Sequence, residues 1–237
     1  PLPQGAIIGI LGGGQLGRML SVAAARLGFR THIFEPGANP PAGHVADQVT
    51  TASYEDEAAL RAFGTAVDVI TYEFENVPTS ALDLLGSLAP IHPGREALRI
   101  SQDRITEKDF LSELGLSVAP YAAVDGAASM AAAVEKIGAP AILKTRRFGY
   151  DGKGQARLKS ADDAEQALAD MAGAPAVLEG FIDFSAEISV IAARGPSGEV
   201  ACFDPGENVH EGGILRKTTV PANVKSALRM DGVLLAG

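Results

Sequence analysis

The stretch "AILKTRRFGYDGKGQARL", residues 141–158, begins and ends as a buried strand. Between those ends lie three cations, Lys144, Arg146 and Arg147, and then three glycines, Gly149, Gly152 and Gly154. A strand, a glycine loop and a second strand describe a hairpin flap. It is not a Walker-type phosphate loop: Gly154 follows Lys153 where a hydroxyl is required, and no helix follows. Such a flap can cover phosphates from above, as the glycine loop of protein kinases does. Glycine suits the task because a side chain would hold the backbone N–H groups away from the phosphate oxygens. Lys144, on the strand before the flap, offers a fixed ammonium to the same oxygens. The alternative is an ordinary surface hairpin that carries charge.

The surroundings sharpen the question, because the 237-residue chain has a formal charge of -9 and a pI near 4.9. That balance excludes a general polyanion binder, so any phosphate site must be local. There is no tryptophan and few aromatics, which argues against a nucleic-acid stacking surface. At 46% hydrophobic and 21% charged residues the chain can bury a normal core. Cys202 is the only cysteine, so no internal disulfide can form. "PLPQGAIIGILGGGQ" lacks the basic region and long apolar run of a signal peptide, and "MLSVAAARL" is too short to span a membrane. The expectation is a soluble, cytoplasmic protein that binds neither nucleic acid nor membrane.

Upstream of the flap, "AIIGIL" (6–11) reads as a buried parallel strand, followed by a glycine loop and a helix through "QLGRMLSVAAARLG" that ends at Gly28. "RTHIFE" (30–35) and "VDVITYEFE" (67–75) read as strands, with helices over 55–64 and 79–88. This alternation predicts a doubly wound sheet ending near "APIHPG" (89–94). "GGGQLG" (12–17) fits the dinucleotide fingerprint, with Glu35 closing the next strand. Its physics favours a phosphate on the backbone N–H groups at a helix N-terminus, without choosing the cofactor. "YEFENV" (72–77) follows a strand end, where Glu73, Glu75 and Asn76 could bind sugar hydroxyls or an amine, or form a plain polar loop.

Downstream, "SQDRITEKDFLSELG" (101–115) and "ASMAAAVEKIG" (128–138) read as helices, "PAILKTR" as a strand, and 161–172 as a helix before the strand "PAVLEGF". "EISVIAAR" (187–194) alternates as one strand and pairs with "EVACF" across "GPSG" (195–198). The second half is therefore α+β with hairpins. "VLEGFI" (177–182) can present backbone groups to an adenine edge, and Glu187 could then take ribose hydroxyls.

Taken together these residues resemble the ATP-grasp superfamily: a Rossmann-like domain, a "DR…EK" helix, a strand lysine, a glycine flap, an "EGFI" connector and a strand glutamate. Within it, "GGGQLGRM", "YEFENV", "QDRITEK", "FGYDGKGQ" and "ENVHEGGIL" are similar to the 5-(carboxyamino)imidazole ribonucleotide synthases of purine biosynthesis. The resemblance covers nearly the whole chain. It implies an α/β fold with a Rossmann-like pre-ATP-grasp domain at 1–98 and an α+β ATP-grasp domain, its subdomains at 99–176 and 177–237, the last incomplete. It implies a homodimeric ligase that uses ATP, Mg2+ and bicarbonate to carboxylate the amine of 5-aminoimidazole ribonucleotide.

The resemblance assigns ATP to Arg104, Lys144, the flap residues Gly149, Tyr150, Asp151, Gly152, Lys153, Gly154 and Gln155, the connector Glu179, Gly180, Phe181 and Ile182, and then Glu187 and His210. It places the ribonucleotide near Gln15, Leu16, Glu73 and Tyr150, with its phosphate on the Gly14 loop. Lys144 would stabilise the transferring phosphoryl, Asp151 would act as base for the amine, and His210 would contact ATP or bicarbonate. The family's magnesium carboxylates follow in a motif ending in Asn-Glu that this chain does not contain. Only "NVKSALR" separates "VPA" from "MDGVLLAG", which is short for the helix that precedes a strand there. Three rivals remain: an NAD(P)-dependent oxidoreductase resting on the first glycine loop and Glu35, a sibling ligase acting on another phosphorylated amine, and a non-catalytic nucleotide-binding remnant.

Overall fold

The computed structural model describes residues 1–149 and 153–237, and the chain divides into two units, Pro1–Leu116 and Ser117–Gly237. The first is an α/β unit built on β1 (Ile7–Leu11), α1 (Gln15–Arg26), β2 (Arg30–Phe34), β3 (Gln48–Thr50), α2 (Glu57–Thr65), β4 (Val69–Tyr72) and α3 (Thr79–Leu85), closed by α4 (Arg95–Ser101) and α5 (Arg104–Glu113). The strands pair in parallel in the order β3-β2-β1-β4. After α3 the chain returns beside β4, where Ile91 bridges to Ile70.

The local chemistry explains these elements. α1 stops because Gly28 adopts φ 84°, which lets the Gly28 and Phe29 N–H groups donate to Ala25 and Ala24. Asp56 caps α2 by accepting from the Ala59 N–H at 3.0 Å, and Asp103 caps α5 by accepting from Ile105 at 2.9 Å. The helix expected over 101–115 is α5, which starts at Arg104 behind its Asp103 cap, and the short α4 before it is additional to the sequence reading. The strand expected over 67–75 ends at Tyr72, so "EFEN" lies in the connection. The apolar core gathers Leu11, Phe34, Leu60, Phe63 and Ile70 with the α3 side chains Leu82 and Leu85.

His32 is buried at 6% exposure beside Phe63, its Nε2 2.8 Å from the Thr50 hydroxyl. Burial pushes its pKa down, so the folded state holds the ring neutral while the unfolded state still titrates near 6.5. Protonation therefore favours unfolding, and stability falls as pH drops below that value. We expect the urea midpoint to fall between about pH 7.5 and about pH 5.5 and the His32→Gln variant to lose part of that dependence. Identical pH profiles for the two proteins would contradict this.

The second unit opens with β5 (Tyr121–Val124), α6 (Ala127–Ile137), β6 (Ala141–Thr145), β7 (Gln155–Leu158), α7 (Ala164–Asp170) and β8 (Ala176–Gly180). These strands form an antiparallel sheet in the order β5-β8-β6-β7. Its core joins Val124, Leu143, Leu158 and Leu178 to Met130 and Ala133 of α6 and Ala167 of α7. Beyond it come β9 (Glu187–Ser189), β10 (Ala192–Arg194), β11 (Val200–Cys202), β12 (Gly206–Glu211), β13 (Ile214–Thr219) and α8 (Ser226–Ala236). β13-β12-β9 make one sheet and β10-β11 another.

Two expectations change here. The strand expected over 187–194 is cut at Val190 and Ile191, because β9 pairs with β12 whereas β10 pairs with β11. "MDGVLLAG" is helical within α8 rather than a strand. Among the described residues no helix is long and apolar enough to cross a membrane.

Candidate functional site

In the second unit the sheet brings Lys144 and Glu179 together from positions 35 residues apart. Ile142 stands opposite Glu179 and Lys144 opposite Val177, so the two side chains meet diagonally across β6 and β8. Lys144 Nζ donates to Glu179 Oε2 at 2.8 Å, with Glu179's side chain only 9% exposed and Lys144's 24%. The ammonium is thus held at the root of the glycine hairpin by a carboxylate from the neighbouring strand. On the far side of the hairpin, Gln155 pairs with Lys144, and the Thr145 N–H donates to the Gly154 carbonyl at 2.8 Å. Gly154 has φ 65°, and a Cβ there would lie 2.6 Å from the Thr145 hydroxyl, so only glycine fits this turn. Gly149 and Lys153 flank the hairpin tip, while Tyr150, Asp151 and Gly152 lie outside the described residues.

The connector differs in detail from its sequence reading. Gly180 and Phe181 spend their N–H groups on the Pro120 and Pro140 carbonyls, at 2.8 and 3.1 Å. Among the described residues the Ile182 N–H makes no backbone bond within the chain. The Arg157 guanidinium lies 5.2 Å from the centre of the Phe181 ring.

A second polar group forms where β9 and β12 run side by side. Asn208 is registered opposite Glu187, and its Nδ2 lies 3.4 Å from Glu187 Oε1. His210 Nδ1 reaches the same oxygen at 3.4 Å. The Thr218 hydroxyl on β13 donates to Asn208 Oδ1 at 2.9 Å and fixes the amide. The sequence reading names Glu187 and His210 but not Asn208 and Thr218, which join them only through strand register. All are polar, partly exposed acceptors and donors suited to hydroxyls.

In the first unit the loop between β1 and α1 holds protein carboxylates. The Gly13 N–H donates to Glu35 Oε2 and the Gly37 N–H to Glu35 Oε1, both at 2.8 Å. Gly14 donates to Glu73 Oε1 at 2.5 Å, and the Gly17 N–H donates to Glu73 Oε2. The sequence predicts a phosphate on these donors; in the structure the Glu35 and Glu73 carboxylates accept from them. Glu35 and Glu73 line a pocket of about 350 Å³ with Gly13, Gly14, Pro40 and Phe74. Behind it, burial and the charges of Glu35 and Glu73 push the Tyr54 hydroxyl's pKa well up, so it stays protonated.

Gln15 lines a separate shallow groove on α1 with Arg18, Met19 and Val22, and Leu16 is exposed. Arg104 opens α5 in the first unit. Among the described residues no group of three or more His, Cys, Asp or Glu side chains could hold a metal ion.

Comparison with known proteins agrees with this architecture. Residues 6–102 match the ribonucleotide synthetase preATP-grasp domain, and residues 109–236 match the ATP-grasp domain. The chain is 54% identical over 225 residues to an N5-carboxyaminoimidazole ribonucleotide synthase of Brucella melitensis, spanning 94% of this chain and 62% of that one. It is 41% identical to the Bacillus subtilis enzyme of the same name, over 98% of this chain and 61% of that one. The crystal structure of an N5-carboxyaminoimidazole ribonucleotide synthetase in complex with ADP superposes with TM-score 0.94 at 38% identity, over 99% of this chain and 62% of that one. The Aspergillus clavatus synthase bound to ADP and 5-aminoimidazole ribonucleotide superposes with TM-score 0.89 at 31% identity, over 98% of this chain and 61% of that one.

Proposed function

Because the chain belongs to the ATP-grasp family, we propose that it acts in the ATP-driven carboxylation of 5-aminoimidazole ribonucleotide in purine biosynthesis. One observation carries this reading: Lys144 is fixed under a glycine hairpin by Glu179, in a chain that synthases of that name match over nearly its whole length. A lysine so held is a preorganised charge for a transferring phosphoryl, with little reorganisation left to pay in the transition state.

In this mechanism a bicarbonate oxygen attacks the γ-phosphorus of ATP, ADP leaves, and carboxyphosphate forms. The substrate amine then attacks the carboxyl carbon, phosphate departs, and Asp151 takes the amine proton. Lys144 and the hairpin N–H groups balance the charge on the phosphoryl oxygens. Tyr150 orients the ribonucleotide. Ile182 meets the adenine edge, while Glu187 and Asn208 take the ribose hydroxyls and His210 contacts ATP or bicarbonate. Arg104 contributes to the nucleotide site. Closure of the hairpin keeps water from the labile intermediate. Mg2+ supplies Lewis-acid charge in this chemistry, but the described residues do not form its site, and no step here depends on it. The division at 1–98, 99–176 and 177–237, the homodimer and the cytoplasmic location belong to the same proposal.

Calorimetry tests the nucleotide assignment: ATP should bind and NAD should not. NAD binding without ATP binding would restore the oxidoreductase reading, which the Glu35 and Glu73 contacts at the first loop disfavour. The hairpin makes a second prediction. Magnesium ATP should slow hydrogen exchange at Gly149, Lys153 and Gly154, whose N–H groups gain phosphate partners or cover. Equal exchange in both states would remove the hairpin from the phosphate site.

A further inference from the structure

Three strands of the second unit carry a row of side chains that ends at Glu187. Asn208 on β12 is registered opposite Glu187 on β9 and opposite Thr218 on β13. Directly opposed residues share a face of the sheet, so the three side chains stand in one line, with His210 two positions along β12. Hydrogen bonds run along that line. The Thr218 hydroxyl donates to Asn208 Oδ1 at 2.9 Å, and Asn208 Nδ2 lies 3.4 Å from Glu187 Oε1. Turned over, the amide would set its oxygen against the Glu187 carboxylate. His210 Nδ1 reaches the same Oε1, so two donors gather there, and among the described residues none reaches Oε2. Thr218 is itself placed by a glycine. A Cβ on Gly206 would lie 2.7 Å from Thr218 Cγ2, so the threonine methyl uses space that only glycine leaves on β12. A β-branched side chain has few χ1 states, and seating the methyl also fixes the direction of the hydroxyl.

We propose that Thr218, seated over Gly206, is a positioning residue for nucleotide recognition, acting through Asn208 to aim the free Oε2 of Glu187 at a ribose hydroxyl. The row then sets the preference for a ribose over a sugar that lacks hydroxyls. This rests on the nucleotide site proposed above. Glu187 and Asn208 are the contact residues: the carboxylate offers its second oxygen, and the amide keeps its second N–H. Thr218 and Gly206 meet no ligand and act only through them.

Titration calorimetry on the full-length protein tests this with two ligands, ATP and dideoxy-ATP, which lacks both ribose hydroxyls. The wild type should prefer ATP. Thr218→Val keeps the shape and loses the hydroxyl. It should weaken ATP binding about fivefold, the size of one neutral hydrogen bond, and leave dideoxy-ATP unchanged. Thr218→Ser keeps the hydroxyl and should keep the preference. Gly206 lies outside the left-handed region, so the Thr218 methyl is the close obstacle to alanine there. Gly206→Ala should therefore behave as Thr218→Val does, and adding Thr218→Ser removes the clashing methyl and should restore the preference. Unchanged ATP binding by Thr218→Val would overturn the proposal. So would equal weakening of both nucleotides together with a lower urea midpoint, which would make the row a structural brace only. A Gly206→Ala, Thr218→Ser pair no better than Gly206→Ala alone would also count against it. A wild type that binds the two nucleotides alike would instead overturn the ribose assignment of Glu187 itself, and the positioning role with it.

Discussion

Lys144→Ala is expected to lower ATP-dependent turnover by about a hundredfold to a thousandfold, the usual cost of removing one preorganised charge from a developing transition state. Lys144 projects from the last turn of strand before the hairpin, and Glu179 holds it at 2.8 Å from the adjacent strand. Removing the lysine also takes a cation from a carboxylate whose side chain is 9% exposed, so some stability goes with the activity. Lys144→Met keeps most of the packing and separates the two effects. If phosphate contact is the lysine's task, both variants lose turnover and ATP affinity while Lys144→Met keeps more of the urea midpoint. Normal ATP affinity combined with a much lower midpoint would make Lys144 a structural partner of Glu179 and nothing more.

Phe63→Ala is expected to lower the unfolding free energy of the first unit by about 3–5 kcal/mol. Phe63 is 1% exposed and sits edge-on to both His32, at 4.8 Å, and Phe34, at 5.4 Å. It also fills the space left by Gly9 on β1, whose Cβ would lie 2.7 Å from Phe63 Cζ. Backbone and ring are matched at that point, so no neighbour can move in to close the cavity. Phe63→Leu keeps more volume and should cost less. Urea unfolding followed by circular dichroism measures both. A cost below about 1 kcal/mol for the alanine variant would mean that the site collapses, contrary to this packing.

The elements that sequence could predict were those whose signal is local. "AIIGIL" followed by "GGGQLG" reads as strand, loop and helix because a buried run, a glycine turn and helical periodicity are each contained in a few residues. The same holds for the Lys144 strand and its glycine hairpin. The helix expected from residue 101 starts at Arg104 instead, because the Asp103 side chain caps it there. The alternation of 187–194 is unbroken in sequence, and only the change of partner from β12 to β11 divides it. "MDGVLLAG" is a short apolar run that periodicity alone leaves ambiguous between strand and helix.

Site chemistry follows the same division. Lys144, Glu179, Glu187 and His210 are all named from motif context, whereas the Lys144–Glu179 and Glu187–His210 pairings and the Asn208 contact are not. Glu179 lies 35 positions from Lys144, Glu73 lies 59 from Gly14, and Asn208 lies 21 from Glu187. The glycine loop was the most misleading case. Its spacing reports a tight turn that brings backbone donors close to an anion, and protein carboxylates meet that requirement as well as phosphate does.

The proposed function couples ATP cleavage to carboxylation of an aminoimidazole ribonucleotide. It is tested most directly by measuring ADP release from the full-length protein with ATP, magnesium and bicarbonate, with and without 5-aminoimidazole ribonucleotide. The ribonucleotide is expected to stimulate ADP release strongly and to be consumed one-for-one with it. ADP release that is indifferent to the ribonucleotide, or stimulated only by a different phosphorylated amine, would contradict it.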